Sequence, residues 1–170
     1  DASAAKLNSA KKTLKQLAAI ATAKHKLYVS AQNELKMKTK QADLAMKHLQ
    51  VAQASVSSGK RAIGKLAANA YVSGGGFTDL DSLLKADGPQ DLADRLSALD
   101  AVGQNNSTAL DRYKSAEVVA SSAQKAADTA KEAQAAATIK VASAKKAAEV
   151  AEAMQQEEVD KLQAVQNKLA

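Results

Sequence analysis

The chain has 170 residues and a net charge of +6; 46% of it is hydrophobic but only 2% aromatic, and it contains no tryptophan or cysteine. The hydrophobic fraction is mostly alanine, which buries little area per residue, so the composition excludes a thick globular core. The lack of cysteine excludes disulfides, thiolate metal sites and a cysteine nucleophile within these residues.

The first predicted element is a helix over residues 2–72. Leu7, Leu14, Ala21, Tyr28, Leu35, Ala42, Leu49, Val56, Ile63 and Ala70 recur at a spacing of seven. Three residues on from these lie Ala10, Leu17, Lys24, Ala31, Lys38, Ala45, Ala52, Gly59 and Leu66. Two such rows on one helix form the seam of a coiled coil. Most of the second row is small, so the seam is narrow and permits close approach. The helix would extend about 105 Å and stop at Ser73-Gly74-Gly75-Gly76.

Residues 73–102 differ in character and read as the tip of a hairpin. Phe77 to Leu84 suggests a short amphipathic helix with Thr78 or Asp79 as N-cap. Asp87-Gly88-Pro89-Gln90 reads as a break and a new start. There Asp87 can cap, Pro89 suits a first turn, and Gln90 sits in a capping-box position. Leu92, Leu96 and Leu99 then share one face, and Gly103-Gln104-Asn105-Asn106 predicts a kink or short break.

The return helix is expected over residues 103–170. Its seven-residue row is Tyr113, Ala120, Ala127, Gln134, Val141, Ala148, Gln155, Leu162 and Leu169, accompanied by Ala116, Ala123, Ala130, Ala137, Ala144, Ala151, Glu158 and Val165. Two stripes of similar length joined by about 30 residues favour pairing with each other, because the effective concentration within one chain is high. The expected fold is therefore all-α: a long antiparallel two-helix coiled-coil hairpin with short helices at the tip. Gln134 and Gln155 interrupt the second row, as polar groups that set register do.

Charge is unevenly placed. Residues 1–72 carry 13 lysines or arginines against 3 acids, residues 73–100 carry 2 against 6, and residues 101–170 carry 9 of each. A basic helix could meet nucleic acid or an anionic surface. No aromatics interleave with the lysines, however, so a solvated lysine face beside a seam is the preferred reading, with no specific nucleic acid as partner. No apolar run approaches the about 20 residues of a membrane span, and a start at Asp1 reads as a trimmed or excised chain.

The glycine triplet lacks the residues of a phosphate loop. His25 and His48 stand 23 residues apart, about 35 Å along one helix, too far to share a metal. No base lies near the Ser- and Asp-rich tip to activate a nucleophile. The expectation is a non-enzymatic segment with no catalytic residues, cofactor or metal. The leucine-rich tip is the candidate working surface, with partner-binding residues Tyr71, Phe77, Leu80, Leu83, Leu84, Leu92, Leu96 and Leu99.

The stretch RAIGKLAANAYVSGGGFTDLDSLLKADGPQDLADRLSALDAV, Arg61 to Val102, resembles the hinge region in the coiled-coil domain of NlpC-type cell-wall hydrolases, the PcsB, Rip and EnvC-like group. An alanine-rich helix ending in Ala70-Tyr71, a glycine break, a Leu-Leu helix near Asp81 to Ala86 and the Gln90-Asp91-Leu92 to Arg95-Leu96 element carry the likeness. About a quarter of the chain is covered.

The resemblance implies an extracytoplasmic regulatory domain ahead of a downstream peptidoglycan endopeptidase domain. It implies binding to the extracellular domain of FtsX in the FtsEX complex, and relay of ATP-driven motion that activates septal cleavage in cell division. Membrane proximity would then come through the partner only. The family's catalytic residues lie in the downstream domain, so none is carried onto these positions. The competing expectation is a structural or receptor-binding helical hairpin of a larger exported protein, such as a colicin-like toxin.

Overall fold

A computed structural model describes residues 2–72, 74 and 83–169, with side chains described for residues 4–72, 74 and 83–168. Helix α1 runs Ala2–Val72 and helix α2 runs Pro89–Leu169. They pack against each other as an all-α antiparallel hairpin, and no strand occurs among the described residues. The chain divides into two compact units, one of Asp1–Asp43 with Thr129–Ala170 and one of Leu44–Asp128.

In the first unit, antiparallel register follows from two cross-helix contacts. The Lys140 ammonium donates to Glu34 at 2.6 Å, and Gln134 Nε2 donates to the Thr39 hydroxyl at 3.1 Å. Five residues forward on α1 thus correspond to six residues back on α2. The described buried core here consists of Ala21, Ala31, Ala42, Ala137, Ala148 and Ala151. All six occupy the predicted seam rows. Gln134 interrupts its row, as expected, and its bond to Thr39 satisfies the amide that burial would otherwise strand.

The second unit repeats the plan with one larger side chain. Leu49, Ala52 and Ala127 are its buried apolar residues among those described, and Leu49 is the only one of these bigger than alanine. Here the helices come close at Gly59. A Cβ at that position would stand 3.1 Å from the Tyr113 ring and 3.4 Å from Tyr113 Cα. Glycine lets the α1 backbone lie against the base of a tyrosine side chain.

Nearly every seam position is buried or half-buried. Among the described residues the departures are Lys24, Ala70 and Val165, which are exposed. Lys24 keeps its ammonium in water, since burying it unpaired would cost more than any packing gained there. Ala70 lies past Leu66, the last residue of α1 with a partly covered side chain.

Two expectations about the chain's middle are corrected. The return helix begins at Pro89 rather than near residue 103, so the segment bearing Leu92, Leu96 and Leu99 is the start of α2. No break interrupts Gly103-Gln104-Asn105-Asn106, which is helical throughout. Once a helix is nucleated, each added residue forms a further hydrogen bond, and a glycine costs only about 1 kcal/mol against that. Side-chain bonds also bridge the stretch: Gln104 Nε2 donates to Asp100, and the Thr108 hydroxyl donates to the Gln104 carbonyl.

Leu49→Ala should lower the unfolding free energy by about 2–3 kcal/mol, as large-to-small changes in a packed interior do. Ile139→Ala, at a side chain 69% exposed, should change it by no more than about 0.5 kcal/mol. Urea denaturation followed by circular dichroism separates the two.

Glycine positions offer a second check. Nothing lies within 4 Å of a Cβ built on Gly64 or Gly103, so alanine at either should stabilise by about 0.5–1 kcal/mol through helix propensity. Gly59→Ala should gain distinctly less, because the Tyr113 ring must move aside. Thermal melts of the three single variants rank them.

Candidate partner-binding site

The expected working surface belongs to the second unit, where the seam runs out. Ile63 and Leu66 on α1 and Ala109 on α2 are partly covered, but residues 67–72 and 100–108 are exposed around the whole helix circumference. Tyr71 and Val72 end α1 with 88% and 85% of their surface in solvent. The helix stops there as the glycine signal implies: Gly74 takes a φ of +82°, and its N–H donates to the Tyr71 carbonyl at 3.2 Å. Such a left-handed residue is where a side chain with a Cβ would be strained.

Of the other residues assigned to this surface, Leu83 is half-buried and Leu84 is exposed. Both are helical, and the Leu83 carbonyl accepts from the Ala86 N–H. Phe77 and Leu80 lie outside the described residues, as do the candidate caps Thr78 and Asp79. On α2, Leu92 and Leu96 are exposed, while Leu99 is half-buried. The more covered face of this turn carries Asp91, Arg95 and Leu99. It is rotated by one residue from the all-leucine face expected, so Leu92 and Leu96 are left toward solvent.

The start of α2 is built by Asp91. Its Oδ2 accepts from the Asp87 backbone N–H at 2.9 Å and from Arg95 Nε and Nη2, also at 2.9 Å. This corrects the capping expectation: Asp91, rather than Gln90, reaches back across the first turn. Gln90 instead donates to Asp94. Gly88, with φ +147°, precedes Pro89, and its carbonyl accepts the Leu92 N–H as the first helical bond. A carboxylate in the first turn also suits the positive end of the helix dipole. The Arg95 guanidinium and the Asp87 N–H hold the Asp91 carboxyl below its usual range, and the hydrogen bond to the Asp91 carboxylate raises Arg95.

An open apolar groove lies in the same unit, lined by Val51, Ala52, Ala116 and Val119 with His48, Ser55 and Ser115 at its edges. None of these was singled out as a binding residue. The signal was legible, since Leu44 and Val51 stand seven apart outside the seam rows. Val51 and Val119 remain more than half exposed.

His25 lines a shallow groove of the first unit with Glu152 and Gln155, its ring edge-on to Tyr28 at 6.4 Å between centroids. Among the described residues no three His, Cys, Asp or Glu side chains gather as a metal site would require, and no helix is long and apolar enough to cross a membrane. No protein-family model and no curated protein matches the chain.

Because Asp91 has a depressed folded-state pKa, its contribution is complete above the ordinary aspartate range and disappears as pH falls through the depressed value. Asp91→Ala should therefore accelerate amide hydrogen exchange in the first turn of α2 at neutral pH. The difference from the natural chain should shrink below the ordinary carboxylate range, which hydrogen-exchange NMR as a function of pH can follow.

Proposed function

We propose that this chain is a non-catalytic coiled-coil regulatory segment of a peptidoglycan hydrolase. In this reading it docks on the extracellular domain of FtsX and relays motion from the FtsEX complex to a downstream hydrolase domain outside the cytoplasm. The observation that carries the proposal is the exposure of Tyr71, Val72, Leu84, Leu92 and Leu96 at the end of the hairpin where seam packing stops. Large apolar side chains concentrated on such a surface suit insertion into a partner's groove. The likeness of residues 61–102 to the hinge of NlpC-type hydrolases supplies the choice of partner.

Mechanical relay suits this architecture. A seam of alanines loses little if one layer shifts, yet two helices in continuous contact move together under load. The Asp91 cap and Pro89 pin the beginning of α2, so force applied at Leu92 or Leu96 passes into a formed helix rather than a loop.

Binding of the full chain to purified FtsX extracellular domain, measured by biolayer interferometry, tests the proposal. The double variant Leu84→Asp with Leu96→Asp should weaken binding at least about tenfold, a loss of about 1.4 kcal/mol. Ile139→Asp, on an outward position of α2 that is 69% exposed, should leave it unchanged. Absence of binding by the natural chain would overturn the choice of partner, and an unaffected double variant would move the contact off the tip.

A further inference from the structure

The unit of Asp1–Asp43 with Thr129–Ala170 is inverted in side-chain size. Its described buried core is alanine, whereas Ile20, Leu27 and Met37 stand 48%, 58% and 61% exposed. With the seam rows taken as heptad positions a and d, residues 20 and 27 fall at g and residue 37 at c. These two positions flank the seam on one side. On α2 the same positions hold Ala133, Ala136, Ala147, Val150 and Met154. The Glu34–Lys140 pair joins a g position of one helix to a g position of the other at 2.6 Å, so both stripes lie on one side of this unit. The other side is more polar, with Thr22, His25 and Glu152 along its groove, a Lys145–Glu149 ion pair and Val29 as its exposed large apolar residue.

We propose that the c/g side of this unit is a self-association surface, on which a second copy of the chain packs lengthwise to make a four-helix bundle. Three features select a second copy. The period of seven demands a helix lying along the surface as occupant. The surface is also self-complementary in size at its centre, a ridge of Leu27 and Met37 beside a trough of Ala136 and Ala147, with Ile20 level with Met154 at one end. A two-fold axis along the helices sets each ridge over the other copy's trough and makes all neighbouring helices antiparallel.

The third feature is charge. Under that axis an α1 residue faces the counterpart of its own α2 neighbour. Leu27 meets Ala147 and Met37 meets Ala136 of the second copy, and Glu34 meets the second copy's Lys140. Two ion pairs then close into a square of alternating sign, an arrangement that favours this register over slipped ones. Between residues 20 and 43 the surface extends about 35 Å by about 20 Å, or about 700 Å² a side, close to the about 800 Å² of a standard specific interface.

Sedimentation equilibrium of the full chain tests this directly. A dimer is expected at tens of micromolar, and Leu27→Glu with Met37→Glu should be monomeric with unchanged helix content. A natural chain that stays monomeric to about 0.1 mM, or a double variant that stays dimeric, overturns the proposal. Because the chain has no native cysteine, geometry can be read separately. Met37→Cys chains mixed with Ala136→Cys chains should join through a short bis-maleimide, whereas Thr22→Cys mixed with Glu152→Cys should not. Equal or reversed yields would place the contact on the other side and overturn the assignment.

Discussion

Close approach of two helix backbones across alanine is the constraint on which the remaining features depend. An alanine methyl contributes on the order of 0.8 kcal/mol when buried, so no single layer of such a seam holds the helices together. Stability must come from many similar layers and from the high helix propensity of the alanines themselves. Leu49 is the exception among the described buried residues, which is why one substitution there matters more than one at any alanine. The constraint also explains Gly59, where even a methyl group would press on the Tyr113 side chain.

A seam this thin has no interior to spare. The large apolar residues that a globular protein would bury have nowhere to go but outward, and Ile20, Leu27, Met37, Leu44, Val51, Val150 and Met154, all at c or g positions, stand exposed. Isolated exposed apolar residues need no explanation, but a set repeating every seven residues does. Function in such a chain therefore resides on its surfaces and its end, where those side chains can meet another molecule.

Much of this was legible from spacing alone. Seam burial follows the seven-residue rows closely because the coiled-coil period is geometric and depends little on which small residue fills a slot. Side-chain chemistry at the helix start was less legible. Gln90 and Asp91 both lie within capping reach of residue 87, and the choice turned on a carboxylate accepting both a backbone N–H and a guanidinium, which an amide does less strongly. The continuity of α2 through Gly103 was also missed, because local propensities of about 1 kcal/mol compete with helix propagation from two long flanks. The one-residue rotation that leaves Leu92 and Leu96 toward solvent depends on where Asp91 and Arg95 pack, which no apolar pattern encodes.

The c/g stripe shows a different blind spot. Once one seam satisfies a helix, attention to the strongest period hides a weaker one of the same length displaced around the cylinder. Glu34 and Lys140 look like ordinary surface charges in the sequence, and as an exposed pair they add little to stability. Their value is positional. They sit within a stripe that is otherwise mostly apolar or small, and each already faces its opposite charge across the seam. A stripe interrupted by an unmatched charge would repel a second helix, whereas one interrupted by a matched pair can accept a helix that brings the same pair in reverse order. The same two residues therefore fix the register within the hairpin and restrict what can lie upon it.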